Sequence, residues 1–296
     1  MNLIKPKKLK LGDTITFIAP SGNIDEDKVL NAKKYFENKG YIVKLGAHIF
    51  DNDRYMAGND TDRAKDLENA FKDNQTDAIL CVRGGYGALR IIDKIDYNII
   101  KNNPKIFCGY SDITVLSAII LKKTGLITFS SPMPKGDFQP EEINEYTERQ
   151  FFKTLTNDKI TVSAQYLKTY KSGKAKGIII GGNLASVASL CGTDFIPDDK
   201  FIFFAEDLNE PVYKIDKYFR QLLNIKKFKE NISAIILGDF LDSEPKEQLD
   251  SLFLELANEL NIPTFGGYYI THDKQKDTIP IGGFATLCDG TLSIEY

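Results

Sequence analysis

The chain holds 2 histidines among 296 residues, so any chemistry that needs an imidazole must use His48 or His272. His48 sits in Gly46-Ala47-His48-Ile49-Phe50, flanked by apolar residues, and reads as a structural histidine. His272 follows the apolar run 265–270 and opens a polar loop, 271–278, where binding and catalytic groups concentrate. It reads equally as a general base or as a satisfied structural residue. A nucleophile for such a base stands in Gly109-Tyr110-Ser111-Asp112, between an apolar strand pattern and an apolar helix pattern. A sharp strand-to-helix turn there would lift the Ser111 hydroxyl to the edge of a sheet, with Gly109 allowing the tight backbone. The Asp112 amide would then face an oxyanion from a helix N-terminus. The second glycine of G-x-S-x-G is replaced by Ile113, and the other reading is a serine that caps the following helix.

A triad also needs a carboxylate to hold the imidazole tautomer. Glu206-Asp207 end the apolar run 201–205, a position that suits an orienting acid, a helix cap or a solvated acid. The order Ser111, Glu206, His272 is the nucleophile, acid, base order of α/β-hydrolases. Arg83-Gly84-Gly85-Tyr86-Gly87 ends another strand pattern, so backbone amides of Gly84 and Gly85 could face a ligand. Three readings stand: a phosphate cradle, an oxyanion donor opposite Ser111, or a tight turn. Arg90 occupies the third position of G-x-G-x-x-G, and no G-x-x-x-x-G-K-[ST] occurs. Arg83 is the cation nearest this group in sequence and reads either as the binder of a free carboxylate or as a structural ion-pair residue.

These residues need elements to position them. The first half alternates strand patterns at 14–19, 41–43, 78–82 and 105–108 with helical patterns at 25–39, 63–72, 88–92 and 113–121. Such alternation predicts right-handed crossovers and a parallel sheet covered on both faces. The stretch from 132 to 174 is rich in Pro, Gly and charge and reads as a domain connection with a short helix inside. Strand patterns follow at 176–180, 201–205, 234–237 and 264–270, with helices at 215–223 and 247–260 and a β-like tail from 279. The expected division is 1–135, a connection 136–174, and 175–296.

The balance of 38 basic against 41 acidic residues, net charge -3, argues against nucleic acid or a membrane surface as partner. No apolar run approaches membrane-spanning length, and the N-terminal residues lack a signal-peptide core. Cys81, Cys108, Cys191 and Cys288 form no C-x-x-C pair and read as reduced, mostly buried thiols of a cytoplasmic protein.

Taken in order, these motifs resemble the serine-type L,D-carboxypeptidases, a family that includes the microcin-immunity carboxypeptidases. The resemblance runs along nearly the whole chain. It rests on Ile18-Ala19-Pro20-Ser21, Arg83-Gly84-Gly85-Tyr86-Gly87, Gly109-Tyr110-Ser111-Asp112-Ile113-Thr114, Gly181-Gly182-Asn183-Leu184, Cys191-Gly192-Thr193, Glu206-Asp207 with Glu210, Tyr213, Ile215 and Asp216, then His272 and Pro280-Ile281-Gly282. It implies an N-terminal flavodoxin-like parallel-sheet domain and a smaller C-terminal mixed α/β domain, with the site between them. It implies Ser111, Glu206 and His272 as triad and amides at Asp112 and Gly84-Gly85 as oxyanion donors. It also implies a cytoplasmic homodimer that uses no metal or cofactor. The implied reaction releases D-alanine from a murein tetrapeptide in cell-wall recycling. A peptide-nucleotide hydrolase giving microcin immunity is the nearest alternative, and a non-catalytic small-peptide binding protein is the alternative of another class. The chain departs from the family where Thr271 and Asp273 flank His272 in place of glycine, and where Lys214 and Lys217 replace arginines, which are not equal substitutes at bidentate sites.

Overall fold

A computed structural model describes residues 2–141, 143–162 and 164–296. It has two sheets with helices packed around them. The first is six-stranded, in the order Ile279–Ile281, Thr128–Ser130, Ile106–Cys108, Ala78–Cys81, Thr14–Ile18, Ile42–Leu45. Its last five strands are mutually parallel. Numbered along the chain, they run in the order 2-1-3-4-5 of a flavodoxin-like doubly wound sheet, the fold that the resemblance implies. Ala78–Cys81 and Ile106–Cys108 are buried at every residue, as strands covered on both faces require. Helix Glu26–Asn38 turns Val29, Ala32 and Phe36 inward, where Phe36 meets Phe17 edge-on at 5.7 Å and Phe138 at 4.8 Å. Helix Ile113–Thr124 is apolar nearly all round, because it lies between the first sheet and the strand Lys174–Asn183 of the second lobe.

The second sheet has eight strands, in the order Lys159–Val162, Thr291–Glu295, Phe284–Cys288, Lys174–Asn183, Phe201–Leu208, Ile232–Leu241, Thr264–Tyr268, Ala164–Lys171. The four from Lys174–Asn183 to Thr264–Tyr268 are parallel. The strands at the two ends of this order, Lys159–Val162 and Ala164–Lys171, are neighbours in sequence, so the sheet curls towards closure.

Three sequence expectations change here. The 136–174 stretch is more than a connection: it carries helices Pro134–Asp137 and Glu145–Thr156 and both end strands of the second sheet. Part of the tail leaves the second lobe: Ile279–Ile281 pairs with Thr128–Ser130 of the first sheet, while Phe284–Cys288 and Thr291–Glu295 stay in the second. The helix pattern at 88–92 closes only one 3-10 turn, Ala88–Arg90. Of the cysteines, Cys81 and Cys108 are buried but Cys288 is exposed.

The parallel strands of both sheets direct their carboxyl ends to one region. Loops after Ile18, Cys81 and Cys108 meet there with the end of Phe201–Leu208 and the loop 271–278. The lobes touch through Thr114, whose hydroxyl accepts from the Asn183 amide at 3.2 Å. Gly182 makes this approach possible, as an added Cβ would lie 2.5 Å from Thr114 Oγ1.

Candidate active site

Ser111 holds a left-handed backbone, φ 62°, a conformation that costs a residue with a Cβ about 1–2 kcal/mol. It stands one residue before Asp112, the N-cap of helix Ile113–Thr124, so it is not itself the helix cap. Gly109, φ 158°, precedes it where a Cβ would meet Ile113 Cγ2 at 2.8 Å. Strain of this kind persists only where the surroundings enforce it, and the enforcing groups are visible. The buried Asp112 carboxylate accepts the Ser21 hydroxyl at 2.5 Å and the Ala88 amide at 2.9 Å, and burial holds its pKa above the usual carboxylate range. Arg63, 1 % exposed, donates to the Pro20 and Gly87 carbonyls at 2.7 and 2.8 Å and pairs with Asp60. These bonds tie loops 20–22, 83–88 and 109–112 into one floor. Gly84 is pressed against Ser111: a Cβ there would stand 2.7 Å from Ser111 Cβ and 3.2 Å from the Asp112 amide nitrogen.

His272 arrives from the second lobe. Its Nδ1 lies 2.6 Å from Glu206 Oε2, and the Glu206 side chain is buried near the end of its strand. The Tyr110 ring packs edge-on against the imidazole with centroids 4.9 Å apart. Lys276 lies under Tyr110: its ammonium is 3.1 Å from the phenol oxygen, 4.3 Å from the ring centroid and 2.7 Å from Asp137 Oδ1. Burial raises the Tyr110 hydroxyl well above its usual range, and its oxygen accepts from the Lys276 ammonium. Thr271 accepts the Asp273 amide at 2.9 Å, so a hydroxyl turn shapes the chain where glycine would have served. Asp207, beside Glu206, faces elsewhere: it accepts from Asn183 Nδ2 and from the Ala185 and Leu208 amides, and burial raises its carboxyl to about 6.

A cavity of about 530 Å³ joins the two halves, lined by Ser111 and His272 together with Gly84, Gly85 and Arg83. Among the described residues no protein group hydrogen-bonds the Ser111 hydroxyl. Arg83 donates to the Asn23 carbonyl, makes no side-chain ion pair within 4 Å among the described residues, and feels the Asp25 carboxylate at longer range. His48 bonds Asp51 at 2.8 Å and lies 3.8 Å from Asp62. These three form a half-exposed donor set within 4.8 Å, but none of them lines the cavity. Lys214 pairs with Glu210 at 3.2 Å, and neither Lys214 nor Lys217 reaches the cavity. Among the described residues no helix is long and apolar enough to cross a membrane.

Two family models fit the chain, the LD-carboxypeptidase N-terminal domain over residues 15–131 and the LD-carboxypeptidase C-terminal domain over 176–287. A probable murein peptide carboxypeptidase of Bacillus subtilis is 35% identical over 291 residues, 96% of this chain and 91% of its own. The chain belongs to the LD-carboxypeptidase family. Among solved structures, an MccF-like protein from Bacillus anthracis superposes with TM-score 0.92 at 30% identity, covering 99% of both chains. A muramoyltetrapeptide carboxypeptidase from Oxalobacter formigenes does so with TM-score 0.85 at 27% identity, covering 95% of this chain and 97% of its own.

The motifs of this LD-carboxypeptidase contain Ser21 and Tyr110 without showing what they support, and they leave out Arg63, Asp137 and Lys276, which act through burial that a local pattern does not display. Lys28 and Lys135 also line the cavity, and Lys28 carried a signal: a cation in the first turn of a helix opposes the helix dipole.

Proposed function

We propose that this LD-carboxypeptidase is a serine hydrolase that releases a C-terminal D-alanine from murein tetrapeptides. Ser111 Oγ attacks the carbonyl carbon before the terminal residue while His272 Nε2 takes its proton. Glu206, bonded at Nδ1, fixes the tautomer that leaves Nε2 free and stabilises the imidazolium. Amides of Asp112 and the Gly84-Gly85 turn receive the oxyanion. His272 then gives the proton to the leaving amine. Water, activated by the same imidazole, cleaves the ester to free the shortened peptide and restore the Ser111 hydroxyl.

The observation that carries this reading is the pairing of a strained, unbonded Ser111 with the buried Glu206–His272 couple around one cavity. The work belongs to cell-wall recycling in the cytoplasm, performed by a homodimer. Free cysteines fit that compartment, and the dimer follows the family habit and is checked by sedimentation. The test is mass spectrometry of a tetrapeptide after incubation. Tripeptide plus D-alanine is expected, and a Ser111→Ala enzyme that released D-alanine at near wild-type rate would sink the assignment. A peptide-nucleotide is the second reading, favoured by the likeness to the MccF-like protein; parallel incubation with an aspartyl-adenylate analogue separates the two.

A further inference from the structure

Strand Ile232–Leu241 is irregular beside Glu206. Leu237 pairs with Ala205 and Phe240 with Asp207, so Gly238 and Asp239 together stand opposite the single Glu206. A bulge of this kind re-aims a side chain, and bulges concentrate near active sites. This one grips the chain that carries His272. A Cβ on Gly238 would stand 1.9 Å from the Ile270 carbonyl oxygen, so glycine is what admits the approach. The Asp239 amide donates to that same carbonyl at 2.9 Å. The Asp239 side chain continues the grip one residue further. The Thr271 hydroxyl donates to the Asp239 carboxylate, and its oxygen accepts the Asp273 amide at 2.9 Å. Both chain neighbours of His272 are therefore held from one bulge.

The position is unfavourable for a carboxylate. Burial, and then Asp273 and Glu206, push the Asp239 carboxyl above its usual range, while the Thr271 hydroxyl and Lys246 pull the other way. An acid kept half-buried among acids breaks a local rule, and such breaks concentrate at functional positions. Asp239 does not line the cavity of Ser111 and His272, so any part it has is played through another residue. Glu206 holds the imidazole at Nδ1 but not the backbone on which the ring is mounted. Glycine beside the histidine could not complete this bracket, since it has no hydroxyl. We infer that Asp239 is a positioning residue for the hydrolysis: through Thr271 it fixes the backbone that carries His272, so that Nε2 stays aimed at Ser111. This rests on the serine-hydrolase reading and adds to it a residue outside the triad.

The test measures tetrapeptide hydrolysis, with kcat counted per Ser111 titrated to completion by a fluorophosphonate, so that misfolded protein drops out. Thr271→Val removes the hydroxyl and keeps the shape, and Asp239→Ala removes the acceptor. Each should lower kcat about 10- to 100-fold, the range for a reacting group misplaced by up to 1 Å, with KM near wild type. Thr271→Ser keeps the donor and Asp239→Asn keeps an acceptor, so both should recover most of kcat. Thr271→Val/Asp239→Ala should lose no more than the worse single variant, because the two side chains act as one unit. Unchanged kcat in both single variants, a loss confined to KM or to melting temperature, losses that multiply in the double variant, or no recovery in either conservative variant overturns the positioning role while wild-type D-alanine release stands. A wild-type enzyme that releases no D-alanine instead overturns the hydrolase reading beneath it, and the proposal with it.

Discussion

Gly84 and Ser111 leave no room for a side chain between them: a Cβ on Gly84 would stand 2.7 Å from Ser111 Cβ and 2.9 Å from its Oγ. Both residues follow adjacent parallel strands, so neither can retreat without moving its strand. Gly84→Ala should therefore displace the hydroxyl and not merely crowd it. A misplacement near 1 Å costs on the order of 10²-fold in rate, against about 1–3 kcal/mol in stability for local overpacking. Steady-state kinetics beside thermal unfolding checks this. A large fall in kcat/KM with a folded protein is the expected pair of results.

The left-handed backbone of Ser111 can be measured directly. Ser111→Ala and Ser111→Gly both remove the hydroxyl, but only glycine accepts φ 62° without a steric penalty. The glycine variant should be more stable than the alanine variant by about 1 kcal/mol, less the extra chain entropy glycine brings to the unfolded state. Denaturant titration of both, with m-values compared, decides it. Equal midpoints would mean that the turn stores no strain at this residue.

Glu206→Gln keeps the shape of the side chain 2.6 Å from His272 Nδ1 and removes its charge. The imidazolium loses its stabiliser, and an amide offers His272 the wrong tautomer as readily as the right one. The rate of D-alanine release should drop by about 10²–10⁴-fold with KM little changed.

Legibility in the sequence followed the range of the interaction. The alternation of strand and helix in the first half announced the doubly wound sheet because each strand is buried over a local run of residues. Ser111, Glu206 and His272 were visible because each closes or follows such a run. The 136–174 stretch reads as a mere connection because its end strand, Ala164–Lys171, has no fully buried residue. It therefore lacks the apolar signal that marks its partners. Lys276 and Asp137 were missed because their partners lie 139 positions apart, and nothing local tells a buried lysine from a solvated one.

His48 supplies the control for histidine chemistry. It bonds Asp51 and lies outside the cavity, so His48→Gln should leave kcat near wild type. The Asp51 bond raises the His48 pKa in the folded state above an unfolded value of about 6.5. A raised folded pKa gives stability that is fully present below the unfolded pKa and lost as pH rises through the folded one. The wild type should therefore exceed His48→Gln in melting temperature at pH 5.5, and the gap should close by pH 9. The pair is half-exposed, so the effect is below about 1 kcal/mol.

Lys276 and Asp137 are 2.7 Å apart with side-chain exposures of 4 and 7%, and they join the segment before helix Glu145–Thr156 to the loop that carries His272. Tyr146 bonds Asp277, and Thr147 bonds the Lys274 carbonyl and the Lys276 amide, so one clamp sets the loop's height above the first sheet. Lys276→Met would leave the Asp137 carboxylate buried with, among the described residues, only the Met133 amide as donor, at a cost of about 3–5 kcal/mol. Lys276→Met/Asp137→Leu removes both charges and should recover a substantial part of that loss, because an unpaired buried charge is worse than none. Recovered stability should not restore catalysis. Tyr110 loses the cation under its ring, and His272 loses the support behind its edge. Both variants should keep a low kcat with a near-normal KM. A double variant that regained full kcat together with stability would show that the ion pair holds the fold alone and has no part in placing His272.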